Sequence, residues 1–401
     1  MTEPQLRSRL LRRSLVIAGI VALAITLRGP ISAVGPVLDV LTGTLGLGAL
    51  EVSLLTAAPV ICFGVFAVLT PRLTAHLGVD ATAALALSVL AAGVVLRSAG
   101  AVGTLFAGTV LISAAIAVGN VLLPVLVKRD APRHLGLITG AYTTTLTTSA
   151  AIGAAITVPL SSAYGWRIGL GVWVFPALVA LLLWAPRIRG SRPPRGPGEQ
   201  GKGSIRPLLR EPLAWQVTVF FALQSALFYA VLAWLPSIYR AAGLSASNAG
   251  LLLAVVTVSG IPMALTVPPW AARCADQRFF PVALTALASM GFVGLLVAPS
   301  TLPVLWAVLL GLGLGGNFPL VLTLIVLRTA RPSDTSALST MSQGLGYLLA
   351  AALGPFAVGV LHDLSGGWTW PVVALLVLAV PQAVTGWAAG RPLLIGEPTR
   401  H

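Results

Sequence analysis

"RIRGSRPPRGPGEQGKGSIRPLLREP", residues 187–212, is rich in Pro, Gly and Arg and too poor in apolar side chains to pack against anything. Such a stretch reads as a solvated linker. The chain around it is its opposite. Its 401 residues are 57% hydrophobic and only 9% charged, where a soluble domain averages about 25% charged. Upstream of the linker, apolar runs cover 15–40, 52–70, 81–97, 102–126, 137–160 and 168–186; downstream they cover 213–236, 249–270, 280–299, 303–326, 337–360 and 369–389. Each is near the ~20 residues that a helix needs to cross a bilayer. The runs are continuous rather than alternating, and lipid admits only helices or closed barrels, so the spans are helical. The expectation is an all-α integral membrane protein of twelve transmembrane helices in two pseudo-symmetric six-helix bundles. The divisions are an N-terminal bundle over 1–186, the linker over 187–212, and a C-terminal bundle with a short tail over 213–401.

The formal net charge of +14 does not point to nucleic acid, because of where the charges fall. With the N-terminus inside, 21 of the 25 Lys and Arg residues lie in cytoplasmic segments, seven of them in the linker alone. Only Arg97, Arg167 and Arg240 fall outside, with Arg28 inside the membrane. This positive-inside bias sets an orientation with both termini in the cytoplasm. The basic start "RSRLLRRSLVIAGIVALAI" resembles a signal sequence but runs into a full-length span, so it reads as an uncleaved first helix. Cys62 and Cys274 fall in different compartments of this map and are not expected to pair.

The two halves echo each other. "VGNVLLPVLVKRD" in the fourth span faces "GGNFPLVLTLIVLR" in the tenth, with Asn120 and Asn317 in register. Gly165-Trp166 matches Gly367-Trp368, and Gly46-Leu47 matches Gly243-Leu244. Three matches in order favour duplication. Two six-helix bundles joined by a basic linker describe the major facilitator architecture, whose substrate lies between the halves near the midplane. Within that superfamily the chain resembles the cyanate porter and nitroimidazole transporter family. The resemblance rests on "LRGPISAVGPVLD", "GNVLLPVLVKRDAP", "LITGAYT", "EPLAWQVT", "AWLPSIY", "SALSTMSQGLGYLLAAALGP" and "LHD" followed by a Gly-Trp pair. It implies a multi-pass transporter of the bacterial cytoplasmic membrane that handles small polar or anionic solutes such as cyanate or nitroimidazoles. The loop "PRLTAHLG" (71–78) has the spacing of the superfamily's signature loop but carries Ala75 where the usual Asp would stand.

Acids and histidines all map to loops or span ends, so the titrating midplane relay common in proton-coupled carriers is missing from the sequence. Arg28 remains. It lies roughly 20 Å along a helix starting near Leu15, at ~1.5 Å per residue, and so within a core ~30 Å thick. It can snorkel toward the outer headgroups, pin carbonyls released by Pro30 and Pro36, or bind an anion or polar oxygens. Its permanent charge and planar fork of donors suit carboxylate-like oxygens, and a substrate anchor is the reading adopted.

Other polar groups share helical faces. Ser336, Thr340, Gln343 and Tyr347 line one face of the eleventh span. Tyr142 and Thr145, continued by Ser149, mark the fifth; Asn120 and Pro124 mark the fourth, Gln224 and Tyr229 the seventh, and Asn317 the tenth. Such groups also serve as interhelical glue, which is the reading for Thr143, Thr144, Thr147 and Thr148. The expected substrate contacts are Arg28, Asn120, Tyr142, Thr145, Gln224, Tyr229, Asn317, Thr340, Gln343 and Tyr347. The function expected is secondary transport by alternating access. The alternatives are a proton-coupled drug antiporter and, remotely, an intramembrane enzyme, which would need a catalytic constellation that the sequence lacks. No cofactor or metal, no nucleic acid and a monomer in the bilayer complete the expectation.

Overall fold

A computed structural model describes residues 17–188 and 205–395, and these residues form helices and no strand. The basic N-terminal tail, most of the linker and the last six residues fall outside the described residues, and with them Arg7 to Arg13, Arg189 to Lys202, Glu397 and Arg400.

Every apolar run coincides with a helical segment. In the first half these are α1 (Ile17–Val37), α2 (Ala49–Ala67), α3 (Val79–Arg97), α4 (Val102–Asp130), α5 (Leu135–Tyr164) and α6 (Trp166–Ile188). In the second they are α7 (Pro212–Ala241), α8 (Ala246–Arg273), α9 (Phe279–Val297), α10 (Pro303–Leu327), α11 (Pro332–Ser365) and α12 (Thr369–Ala389). Among the described residues, eleven helices are long and apolar enough to cross a membrane, and Leu54–Ala67 of α2 with the short helix Thr70–Leu77, bent by 50° from it, passes the same test as a pair. Arg187, read as the first linker residue, is instead in the last turn of α6.

The chain divides into two compact units. One comprises the described residues up to Pro132 together with Ala141 to the end of α6, the other Arg133–Gly140 together with everything after the linker. In the first unit α4 is the most enclosed helix, buried without a break from Ala115 to Val127. In the second, the core draws Leu227, Leu235 and Tyr239 of α7, Val256 of α8, Phe292 of α9, Leu310 and Leu314 of α10, and Leu375 of α12 into one cluster. The second unit's helices approach closely through small residues. A Cβ built on Gly315 of α10 falls 2.3 Å from the Gly260 Cα of α8, so a methyl group at this crossing has no room. Membrane helices without a hydrophobic drive to associate rely on such backbone approach.

One set of helix ends is tied in both units, by different chemistry. In the first, Asp80 at the start of α3 accepts from Arg129 Nη1 and Nη2 of α4 at 2.9 and 2.8 Å, and from Arg187 Nε of α6 at 3.0 Å. Asp130 completes the cluster by accepting from both arginines. In the second, Arg328 after α10 donates Nε to the Ala389 carbonyl at 2.8 Å and Nη2 to Gln277 Oε1 and the Gly390 carbonyl. Gln277 precedes α9 and Gly390 follows α12. The same three helices of the repeat are clasped, by carboxylates in one half and by an amide and carbonyls in the other. This pairing extends the duplication that the sequence matches indicated.

Candidate functional site

The break in α1 is held by side chains of three other helices. Pro30 has no N–H to donate, and regular helix stops at Leu27–Arg28, where Arg28 takes φ −121° and ψ −39°. In an unbroken helix the Gly29 N–H would bond the Ile25 carbonyl. Here the Ser149 hydroxyl of α5 stands between them: it accepts from Gly29 N at 3.1 Å and donates to the Ile25 carbonyl. A side chain inserted in the ladder in this way is a recognised cause of helix kinks. The Pro30 carbonyl accepts from Arg97 Nη1 at 2.7 Å, and Arg97 Nη2 reaches the Leu170 carbonyl of α6 at 3.5 Å.

Gly29 itself is caught between two neighbours. A Cβ there would fall 1.9 Å from the Trp173 ring, and a Cβ on Gly153 of α5 would fall 2.6 Å from the Gly29 carbonyl oxygen. Only glycine fits. On α4, a Cβ on Gly119 would fall 2.7 Å from Leu27, so the turn of α4 that carries Asn120 packs beside the turn of α1 that carries Arg28. Tyr142 lies seven residues before Ser149 on α5, on the same helical face. Tyr142 is fully buried, Asn120 is 5% exposed and Arg28 is half-buried. Four of the expected contacts thus belong to one unit: Arg28, Asn120, Tyr142 and Thr145. Thr145 turns its hydroxyl back to the Ala141 carbonyl of its own helix at 2.8 Å, and Thr147 does the same toward Thr143 at 3.2 Å.

Arg97 was missed by the sequence reading, which assigned it to the outer side. It is the last residue of α3 and only 1% exposed. A charge at the end of an apolar run looks like a loop residue, and its partners lie 67 and 73 positions away. Carbonyl pinning, one role considered for Arg28, is performed at Pro30 by Arg97. Ser149, read as a continuation of the Tyr142 face, performs it at Ile25.

The other six expected contacts fall in the second unit. Tyr347 of α11 stands edge-on to Phe221 of α7, ring centres 5.1 Å apart at 88°, and 6.3 Å from the Tyr229 ring. Phe318 of α10 lies 6.3 Å from Phe221, its ring tilted by 59°. Amides and hydroxyls accompany these rings. Gln343 Nε2 donates to Ser339 Oγ at 2.8 Å, Gln224 Nε2 to the Phe221 carbonyl at 3.2 Å, and Asn317 Nδ2 to the Gly313 carbonyl at 3.0 Å. Gln224 Oε1, Asn317 Oδ1, Ser336 Oγ and Thr340 Oγ1 are buried with no hydrogen-bond partner. Buried polar atoms of this kind usually find a partner, so this face keeps several acceptors and hydroxyls in reserve. An open cavity of about 360 Å³ elsewhere in this unit is lined by Ile238, Leu295, His362, Trp368 and Thr369, and none of the six lines it.

Among the described residues, acids lie at helix ends. Glu51, Asp80 and Asp334 are in first turns, Asp130 and Asp363 in last turns, and Glu211 and Asp276 flank helices. No group of three or more His, Cys, Asp or Glu side chains among the described residues could hold a metal ion.

A duplicated set of long apolar helices, interrupted by Pro and Gly and carrying buried polar side chains, is the build of a multi-pass membrane transport protein. The Major Facilitator Superfamily profile matches residues 14–351, and the chain belongs to that superfamily. It is 37% identical over 389 residues to the uncharacterized transporter YycB of Bacillus subtilis, covering 96% of both chains. Identity is 35% to the 2-nitroimidazole transporter of Escherichia coli, covering 94% of this chain and 96% of that one. It is 31% to the cyanate transport protein CynX of Escherichia coli, covering 90% and 94%. Among solved structures, the proton:xylose symporter XylE shares the fold with a TM-score of 0.76 at 14% identity, over 95% of this chain and 96% of that one.

Proposed function

We propose that this secondary transporter moves a small anionic or polar solute, cyanate- or nitroimidazole-like, across the bacterial cytoplasmic membrane by alternating access, with both termini in the cytoplasm. Arg28 is its anchor. The observation that carries this reading is the division of labour at the α1 break: Arg97 and Ser149 hold the Pro30, Gly29 and Ile25 backbone groups. A half-buried arginine stands beside that turn, and an intramembrane charge usually serves a cavity or a ligand. Asn120 and Tyr142 contribute from the neighbouring turns of α4 and α5. Gln224, Tyr229, Asn317, Thr340, Gln343 and Tyr347 supply a neutral, aromatic-walled face that suits a flat, weakly polar solute. Thr145 is the weakest member, since its hydroxyl already bonds the Ala141 carbonyl.

The helix-end placement of the acids supports transport driven by the solute gradient and, for an anion, by the membrane potential. A proton antiporter is the second reading, and Asp39 and Glu51 are the acids it would use. The test is counterflow in proteoliposomes of the full chain, with labelled cyanate and labelled 2-nitroimidazole alongside nitrate and short carboxylates. Saturable exchange that needs the same solute on both sides supports a carrier. Unsaturable flux would mean a channel, and consumption of the solute would mean an enzyme.

A further inference from the structure

We infer that Arg97 is a positioning residue of this transporter: with Ser149 it fixes the broken turn of α1 and so sets the direction in which Arg28 is presented. The inference rests on the proposed role of Arg28 but makes a separate claim, about geometry.

Pro30 removes one rung from the helix ladder and the Ser149 hydroxyl replaces another. A turn that has lost two of its own bonds would be a loose hinge if nothing else held it. Three clamps hold it instead, each from a different helix. Ser149 of α5 grips both sides of Arg28, at Ile25 and at Gly29. Trp173 of α6 covers Gly29 so closely that no side chain fits there. Arg97 of α3 grips Pro30.

Arginine suits the last position for a specific reason. Its guanidinium presents a rigid fork of donors, and here the two ends of the fork face carbonyls of two helices, Pro30 of α1 and Leu170 of α6. A lysine could reach one carbonyl but not hold both at a fixed spacing. The guanidinium is 1% exposed and bonded to carbonyls rather than to carboxylates. Burying a charge on such partners is unfavourable in itself, so its presence is best explained by what it holds. What it holds is the backbone two residues after Arg28.

The experiment reads the presentation of position 28 directly. In the full chain, with Cys62→Ala and Cys274→Ser, Arg28→Cys is introduced and the reaction rate of its thiol with a small charged methanethiosulfonate is measured in proteoliposomes. Ser149→Ala, Arg97→Gln and Arg97→Lys are then added singly. A Gln382→Leu variant, which breaks a buried bond to Thr285 in the other unit, serves as a structural lesion away from the turn. The expected result is a change of about tenfold or more in the thiol rate at position 28 for Ser149→Ala and Arg97→Gln. A smaller change is expected for Arg97→Lys, and none beyond the scatter of repeats for Gln382→Leu. Should Arg97→Gln fail to fold, Arg97→Lys carries the test of this residue, with Ser149→Ala beside it. An unchanged thiol rate in the variants that fold overturns the proposal.

A second reading separates the two claims. Affinity for cyanate and for 2-nitroimidazole is measured on Arg97→Lys, Arg28→Gln and the double variant. Positioning predicts that Arg97→Lys weakens binding while Arg28 is present and adds nothing once Arg28→Gln is in place. If Arg28→Gln leaves affinity untouched while the thiol rates shift, the anchor reading fails and the positioning of the turn stands.

Discussion

Replacing Asp80 by Asn removes one charge from a cluster that joins the ends of three helices. Asp80 accepts a two-pronged bond from Arg129 and a third bond from Arg187, and its side chain is 13% exposed, against 29% for Arg129 and 15% for Arg187. A fully exposed ion pair contributes about 0–1 kcal/mol, and removing one partner from a buried pair costs about 3–5 kcal/mol. This cluster lies nearer the second bound by exposure, but Asp130 remains to hold both arginines, so the expected loss is about 2–3 kcal/mol. At about 2–4 °C per kcal/mol for a unit of 150–250 residues, the melting temperature of the purified chain should fall by about 4–12 °C. Partly buried pairs escape most screening, so raising the salt to about 1 M should move the wild-type melting point far less than the substitution does. Replacing all four members together (Asp80→Leu, Asp130→Leu, Arg129→Met, Arg187→Met) should recover much of the loss, because no unpaired charge is left behind. The reasoning fails if Asp80→Asn melts within about 1 °C of wild type, a change below 0.5 kcal/mol on the same scale. It fails equally if the fourfold variant is less stable than Asp80→Asn.

Three further outcomes can be checked. Gly29→Ala puts a methyl group against the Trp173 ring, and overpacking of this kind costs about 1–3 kcal/mol; thermal melting should show it, and Trp173→Leu in the same chain should restore most of the loss. A cysteine in the 187–212 linker should react with an impermeant reagent only after the cells are opened, and reaction in intact cells would invert the proposed topology. Uptake of an anionic solute into vesicles should follow an imposed membrane potential at constant pH; a steep dependence on a pH gradient at zero potential would favour the proton antiporter.

The spans were legible because hydropathy is a one-dimensional property and each helix carries its own apolar run. The 50° bend after α2 was not, since "TPRLTAHL" is a polar helical turn whose direction depends on packing. At the α1 break, Arg28, Gly29 and Pro30 announced something unusual on their own. What holds them did not. Ser149 sits in a run of Ser and Thr on α5 where nothing marks it from its neighbours, and Arg97 sits where a span meets a loop; both act on backbone far away in sequence. The signature-loop spacing drew attention to Ala75, whereas the carboxylate that organises this corner is Asp80, five residues on. The one available signal was a pairing of opposite charges at neighbouring span ends, Asp80 and Asp130 with Arg129 and Arg187. Reading it requires knowing which ends are neighbours. In the second unit the face of Ser336, Thr340, Gln343 and Tyr347 followed from helical periodicity, and all four are buried. The edge-on contact of Tyr347 with Phe221 of α7 depends on a helix pairing that periodicity does not reveal.

The central claim is that Arg28 binds solute while other residues hold the turn, and one sample tests both parts. Affinity for cyanate and 2-nitroimidazole, and the melting temperature, are measured on the same preparation of Arg28→Gln. Charge-assisted hydrogen bonds contribute about 1.5–3 kcal/mol, and each 1.4 kcal/mol is about tenfold in affinity. The account predicts binding weaker by roughly ten- to a hundredfold, with a melting temperature unchanged or slightly raised, because Gln costs less to bury and the Pro30 and Gly29 clamps remain. Unchanged affinity together with a lowered melting temperature would contradict it and return Arg28 to the role of a structural pin.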